Sequence, residues 1–244
     1  MKKALIICLA LASLTQAKTF DSVEFQVEGW NADSSGTFQR QGSIIDLDER
    51  GLKRKFAPSI VLDLKGASDY FNFKFGYTRI KNEGKKVLSS DMQLNGLNFD
   101  KGEMQKSKLD LKIYDAIYYI DKPQKNLADF QYGLGLRYFK GSFQSKTCSR
   151  ETTASFHKLL AVGYLRAEIP IPKWEKSVKW VNQAIISPVD DFYVDLRTAI
   201  NIKVSKNISF ETGYRYNRFE TSKKYNANIK SDGLYGAVSY KFKF

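Results

Sequence analysis

The chain has 244 residues, a formal net charge of +13, a mean hydropathy of -0.40, 14% aromatic residues and two cysteines. Two cysteines exclude a disulfide framework, and no stretch of roughly 20 apolar residues offers a membrane-crossing helix. A low mean hydropathy does not exclude a membrane barrel, because strands that alternate lipid-facing apolar with lumen-facing polar residues average out near that value.

Residues Met1-Lys2-Lys3, the uncharged run Ala4 to Leu14 and the exit Thr15-Gln16-Ala17 read as a cleavable signal peptide over 1–17, with the mature chain starting near Lys18. Cys8 leaves with that segment, so Cys148 is the one mature cysteine and no intramolecular disulfide can form. Removing Lys2 and Lys3 lowers the charge from +13 to +11. A basic chain of this kind suggests nucleic acid as a partner, but export argues against that and points to the phosphates of lipopolysaccharide and outer-membrane lipids instead.

Along the mature chain, period-two alternation predicts about ten strands, near 22–30, 55–65, 69–82, 105–120, 128–143, 155–169, 176–188, 190–205, 207–222 and 230–244, with 8 or 12 as the other even counts. The clearest run sets Phe192, Val194, Leu196, Thr198, Ile200, Ile202 and Val204 against Tyr193, Asp195, Arg197, Ala199, Asn201, Lys203 and Ser205. Such a run matches the roughly 9–11 residues of a tilted membrane strand. The last run places Tyr240, Phe242 and Phe244 on one face with Lys241 and Lys243 on the other. Links at 66–68, 121–127, 169–175 and 206–207 are short and alternate with longer ones at 31–54, 83–104, 144–154 and 223–229. The first of these longer links includes Asp46 to Leu52, a candidate helical turn. The pattern predicts an all-β fold: one closed antiparallel transmembrane barrel over 18–244, both termini periplasmic, its final strand pairing with the first near Val23 to Gly29.

On Val27-Glu28-Gly29-Trp30 with Ser35-Gly36-Thr37, on Tyr132-Gly133-Leu134-Gly135-Leu136-Arg137-Tyr138-Phe139-Lys140-Gly141 and on Glu211-Thr212-Gly213-Tyr214-Arg215-Tyr216, the mature chain resembles a family of small, largely uncharacterised proteobacterial outer-membrane β-barrel proteins. The terminal Phe244, with Phe242 and Tyr240 at alternate positions, is similar to the ending of outer-membrane barrels generally, which implies the barrel-assembly machinery as a partner. The resemblance implies no family activity.

If the apolar faces meet lipid, the lumen receives a network of Glu24, Glu28, Lys74, Arg137, Asp195, Arg197, Lys203, Glu211 and Arg215. Gln26, Lys108, Asp110, Lys112 and Asn201 are expected to join it. A barrel of about ten strands is narrow, so long side chains of opposite sign are expected to interlock as a polar plug. The reading that follows is an outer-membrane barrel with a narrow, charge-filled lumen, serving as a structural protein, a binder of small or lipid-like molecules, or a narrow conduit. Two alternatives stay open. His157 with Asp190 or Asp191 offers the makings of a rim hydrolase of lipid or peptide, although one intervening strand separates them by about 10 Å; Ser155 and Ser187 near that rim lack any oxyanion partner in the sequence. The loops at 31–54 and 83–104 offer a surface adhesin. Asp33, Asp46, Asp48 and Glu49 lack calcium-loop spacing, and neither a metal nor a cofactor is expected. The stretches Lys223-Lys224 with Lys230, and Lys85-Lys86, are candidate contacts for lipopolysaccharide phosphate.

Overall fold

The computed structural model describes residues 20–40, 42–123, 128–174, 177–187, 191–221 and 226–244. The expected signal peptide, together with Lys18, Asp190, Lys223 and Lys224, lies outside them. Ten long strands are present among the described residues: β1 (Phe20–Gln39), β2 (Lys55–Gly66), β3 (Asn72–Val87), β4 (Met104–Pro123), β5 (Asp129–Lys146), β6 (Glu151–Pro170), β7 (Val178–Ser187), β8 (Phe192–Lys203), β9 (Ile208–Thr221) and β10 (Asn226–Lys243). Each pairs antiparallel with its chain neighbours, and β10 returns to β1, so the sheet has no free long edge. Closure occurs where the sequence predicts it: Val23 faces Phe242, Phe25 faces Tyr240 and Gly29 faces Gly236.

One end of the barrel carries the start of β1, the end of β10 and the connections from β2 to β3, β4 to β5, β6 to β7 and β8 to β9; it is called the tail end below. The other, the loop end, carries two long excursions at 40–54 and 88–103. The remaining two expected long links shrink, because β5 and β6 run to Lys146 and Glu151 and β9 and β10 to Thr221 and Asn226, leaving 147–150 and 222–225. The excursions contain short pieces of their own. Ile45–Asp46 pairs with β1, Leu52–Lys53 with β3, a single 3-10 turn spans Asp48–Arg50, and Met92–Leu94 with Leu97–Phe99 forms a hairpin. At Gly36 the β1 backbone has φ +106, and a Cβ there would lie 2.0 Å from the Asn228 carbonyl oxygen, so only glycine fits without strain.

Alternation decides what each strand shows to each side. Outward, β5 presents Phe130, Tyr132, Leu134, Leu136 and Tyr138, and β8 presents Phe192, Leu196 and Ile202, with Val204 following directly after it, all exposed. Repeated around the barrel, these side chains form a belt of apolar and aromatic surface that a water-soluble protein would bury. Inward, most ionised side chains lie in the tail half, while large apolar side chains dominate the loop half beside buried polar groups such as Ser34, Asn82 and Gln105. Phe38, Leu109, Leu111, Phe139, Phe143, Phe156 and Phe219 pack inside the loop half, and Ile45, Leu47, Met92, Leu94 and Phe99 from the two excursions fold down onto them. The lumen is therefore not polar throughout, as the sequence suggests, but half ionic and half hydrophobic core. For the same reason Lys108, Asp110 and Lys112 do not join the lumen. On β4 it is Leu109, Leu111 and Ile113 that point inward, fully or almost fully buried, and the charged residues between them face outward.

Candidate functional site

Midway along the lumen, six ionisable side chains from five strands meet: Glu28 of β1, Asp115 of β4, Arg137 of β5, Asp195 and Arg197 of β8, and Arg215 of β9. Each sits on an inward position of its strand, and the narrow bore brings residues as far apart in sequence as Glu28 and Arg197 into hydrogen-bond contact. Arg215 donates to both oxygens of Asp195, from Nε at 3.0 Å and Nη2 at 2.8 Å. Arg137 Nη1 donates to Asp195 Oδ2 at 3.1 Å and its Nη2 to Asp115 Oδ2 at 2.8 Å. Glu28 accepts from Arg197 and, at 3.5 Å, from Arg215.

Three carboxylates balance three guanidiniums, which is the condition under which charge is tolerated away from water. Arg137, Arg215 and Asp195 are each 0% exposed. Aromatic rings complete the enclosure: the Arg137 guanidinium lies 4.5 Å from the Tyr193 ring centre, that of Arg215 lies 4.7 Å from Trp30, and that of Arg197 lies 5.8 Å from Tyr235. Directly on the loop side a layer of rings covers the cluster. Phe139 and Phe219 stack at 4.8 Å, Phe219 and Phe156 at 5.7 Å, and Phe156 touches Phe38 at 5.8 Å.

On the tail side a second set of pairs follows. Arg166 donates to Glu168 at 2.9 Å and to Glu211 at 3.1 Å, and Tyr235 donates to Glu211 at 2.7 Å. Lys74 donates to the Tyr164 hydroxyl at 2.8 Å, with Asp63 3.3 Å away. Between the two sets a hollow of about 30 Å³, bordered by Gln26, Glu28, Lys74, Asp115, Arg166 and Arg197, has room for one or two waters. At the tail mouth the lumen widens to a vestibule of about 250 Å³ bordered by Glu24, Lys179, Lys203, Lys241 and Lys243.

Of the nine charged residues anticipated for the lumen, the mid-barrel cluster thus takes Glu28, Arg137, Asp195, Arg197 and Arg215; Glu211 and Lys74 lie in the set below, and Glu24 and Lys203 at the tail mouth. Asp115, Arg166, Asp63 and Glu168 were not anticipated. Their signal was inward parity: Asp115 shares a face with Ile113 and Ile117, and Arg166 with Val162 and Tyr164.

The rim hydrolase finds no constellation here. His157 is exposed on the outward face of β6, in register with Lys140, whereas Asp191 is buried inside and paired to Lys158 at 2.6 Å. The barrel wall separates them, and Asp190 lies outside the described residues. Ser155 is exposed outward and Ser187 buried inward, so they too are parted. Among the described residues no group of histidine, cysteine and carboxylates could hold a metal.

No family model matches the sequence, and no curated protein matches it. Solved structures similar to it include Neisserial surface protein A, at 16% identity and a TM-score of 0.37, covering 90% of this chain and 97% of that one. The translocator domain of the autotransporter NalP from Neisseria meningitidis is 13% identical with a TM-score of 0.44, covering 98% and 95%. The attachment invasion locus protein Ail of Yersinia pestis, in complex with the heparin analogue sucrose octasulfate, is 10% identical with a TM-score of 0.39, covering 90% and 99%.

Proposed function

We propose that this chain is an outer-membrane barrel that closes its own lumen and acts through its outer surfaces, not as a conduit. The observation that carries the reading is the sequence of seals along the bore. A neutral cluster of three carboxylates and three arginines spans it, stacked phenylalanines cover that cluster, and the excursions 40–54 and 88–103 fold down over the phenylalanines. A hydrated ion needs a continuous wet path, and a space of about 30 Å³ beneath the cluster supplies none. Membrane insertion follows from the outward belt: along β8 and the residue after it, the belt runs from Phe192 to Val204, which at about 3.3 Å per residue and a tilt near 45° gives roughly 28 Å, close to the roughly 25 Å apolar band of such barrels.

In planar bilayers the inserted protein is expected to stay electrically silent. Steady ohmic conductance from the wild-type protein overturns the reading. In this proposal the tail end is periplasmic and the loop end faces outward. Cys148, exposed between β5 and β6, then reacts with a membrane-impermeant maleimide on intact cells. Labelling only after the outer membrane is permeabilised reverses the orientation.

A further inference from the structure

Beyond the apolar belt at the loop end, the outer wall is electrically lopsided. On β3, β4 and β5 the belt ends in Tyr77, Tyr114 and Tyr138, which stand in register, with ring centres 5.0 and 6.1 Å apart. The next outward row, two residues nearer the loops, is Arg79, Lys112, Lys140 and His157, again in register across β3 to β6. Rows above add Lys81 with Asp110, Glu83 with Lys108, and Lys85, Lys106 and Lys146 with Glu151. Four strands therefore show eight lysines or arginines and three carboxylates. The opposite wall is balanced: on β9, β10 and β1, Arg218 pairs with Glu220 at 2.8 Å, while Asp33 meets Arg54 at 2.8 Å and Lys230 is offset by Asp232.

The row beside the tyrosines carries a cost. Lys112 stands directly opposite Arg79 on one side and Lys140 on the other, and like charges so placed destabilise a sheet. Arg79 is held by Asp110, from Nε at 3.0 Å and Nη2 at 2.6 Å, but among the described residues Lys112 and Lys140 form no ion pair. Below the row the outer wall recedes. Ala161 and Gly163 offer almost no side chain, and a hollow of about 300 Å³ opens there, lined by Tyr132, Leu134, Gly163, Leu165, Ala184 and Ile186. Cations at the height of a headgroup, an aromatic row beneath them and an apolar hollow deeper still reproduce, in order, the parts of a membrane lipid.

We propose that the outer wall of β3 to β6 is a binding site for a phosphorylated glycolipid, with phosphates on Lys112, Lys140 and Arg79 and an acyl chain passing Tyr138 and Leu159 into the hollow. Four strands about 4.8 Å apart span roughly 14 Å, which accommodates two phosphates of one headgroup. His157, at the end of the row, adds a hydrogen-bonding group in place of the catalytic role its sequence position suggests. The site rests on the membrane-barrel reading above and differs from the lysine stretches at 85–86 and 223–230 that the sequence suggests, since its central pair is Lys112 and Lys140.

The test measures retention of bis-phosphorylated lipid A by the purified barrel, using native mass spectrometry. Competing arms use the same lipid stripped of phosphate, phosphatidylglycerol and inorganic phosphate. A lysine near an anionic headgroup is worth about five-fold, so Lys112→Gln with Lys140→Gln should weaken binding about 25-fold. Arg218→Gln with Arg54→Gln on the opposite wall, each paired to a carboxylate there, should leave it unchanged. Equal retention by the Lys112/Lys140 variant overturns the site, as does equal retention of the phosphate-free lipid by the wild type, an arm that needs no variant. Full displacement by inorganic phosphate makes it a free-anion site, and equal preference for phosphatidylglycerol removes the glycolipid assignment. Failure of the barrel reading shows separately, as wild-type protein that neither inserts into vesicles nor shifts its gel migration on heating.

Discussion

Asp195 is the side chain on which the mid-barrel cluster turns, and Asp195→Asn isolates its charge from its shape. Its two oxygens accept from Arg215 twice, from Arg137 once and from the Tyr193 hydroxyl at 3.3 Å. The amide keeps the volume but turns one oxygen into an N–H donor facing guanidinium donors, so at least one charge-assisted bond is lost outright. The cluster also changes from neutral to one uncompensated positive charge around the fully buried Asp195 position. Breaking a buried pair from one side costs about 3–5 kcal/mol, a large share of a total folding stability of about 5–15 kcal/mol. The assay is urea unfolding in lipid vesicles followed by tryptophan fluorescence; Trp30, 4.7 Å from Arg215, reports on the cluster itself. A midpoint lowered by the equivalent of about 3 kcal/mol or more at unchanged slope is expected. Adding Arg215→Gln restores neutrality, so the double variant should cost less than the sum of the singles by at least about 1 kcal/mol. A single-variant cost below about 1 kcal/mol, or strict additivity, refutes the claim that charge balance holds this layer together.

Phe219→Ala removes the ring between Phe139 and Phe156 and should cost about 3–5 kcal/mol, yet leave bilayers silent because the ionic cluster below is intact. Conductance in this variant would place the seal in the aromatic layer alone. Gly36→Ala forces a side chain into a left-handed backbone and against Asn228, with an expected loss of about 1–3 kcal/mol; a wild-type urea midpoint would contradict the described β1–β10 contact. Phe244→Ala touches neither seal nor cluster. It should lower the yield of assembled barrel in cells while leaving the midpoint of refolded protein unchanged, and equal yields would remove the proposed engagement of the assembly machinery by that residue.

Much of the fold was legible because period-two alternation survives in a barrel without tertiary correction. The run Phe192 to Val204 meets lipid on one face and lumen on the other, so its parity states both environments at once. Legibility failed where the alternation persists but its two faces exchange environments. On β4, Lys108, Asp110 and Lys112 read as lumen-facing because membrane barrels place polar residues inward. Beyond the lipid, though, the outside is water and the inside is a hydrophobic core, so the same alternation carries the opposite meaning. Which charges meet was not legible either. Glu28 finds Arg197 across the bore, a partnership fixed by the stagger of ten strands and absent from any local pattern.

That inversion is also what joins the sealed lumen to the basic wall. A strand has two faces, and once the loop half of the barrel commits most of its inward face to Phe139, Phe143, Phe156 and Leu111, most charged residues of that half stand outside, with Arg50 and the paired Lys158 and Asp191 among the inward ones. A balanced outer surface would satisfy this requirement, and β9, β10 and β1 have one. On β3 to β6 the exterior is instead strongly cationic, with Lys112 and Lys140 set side by side at the edge of the belt. Core packing explains why these side chains face outward, but not why they share one sign. An anionic partner at headgroup height explains the sign, because it converts a repulsive row into a set of matched contacts.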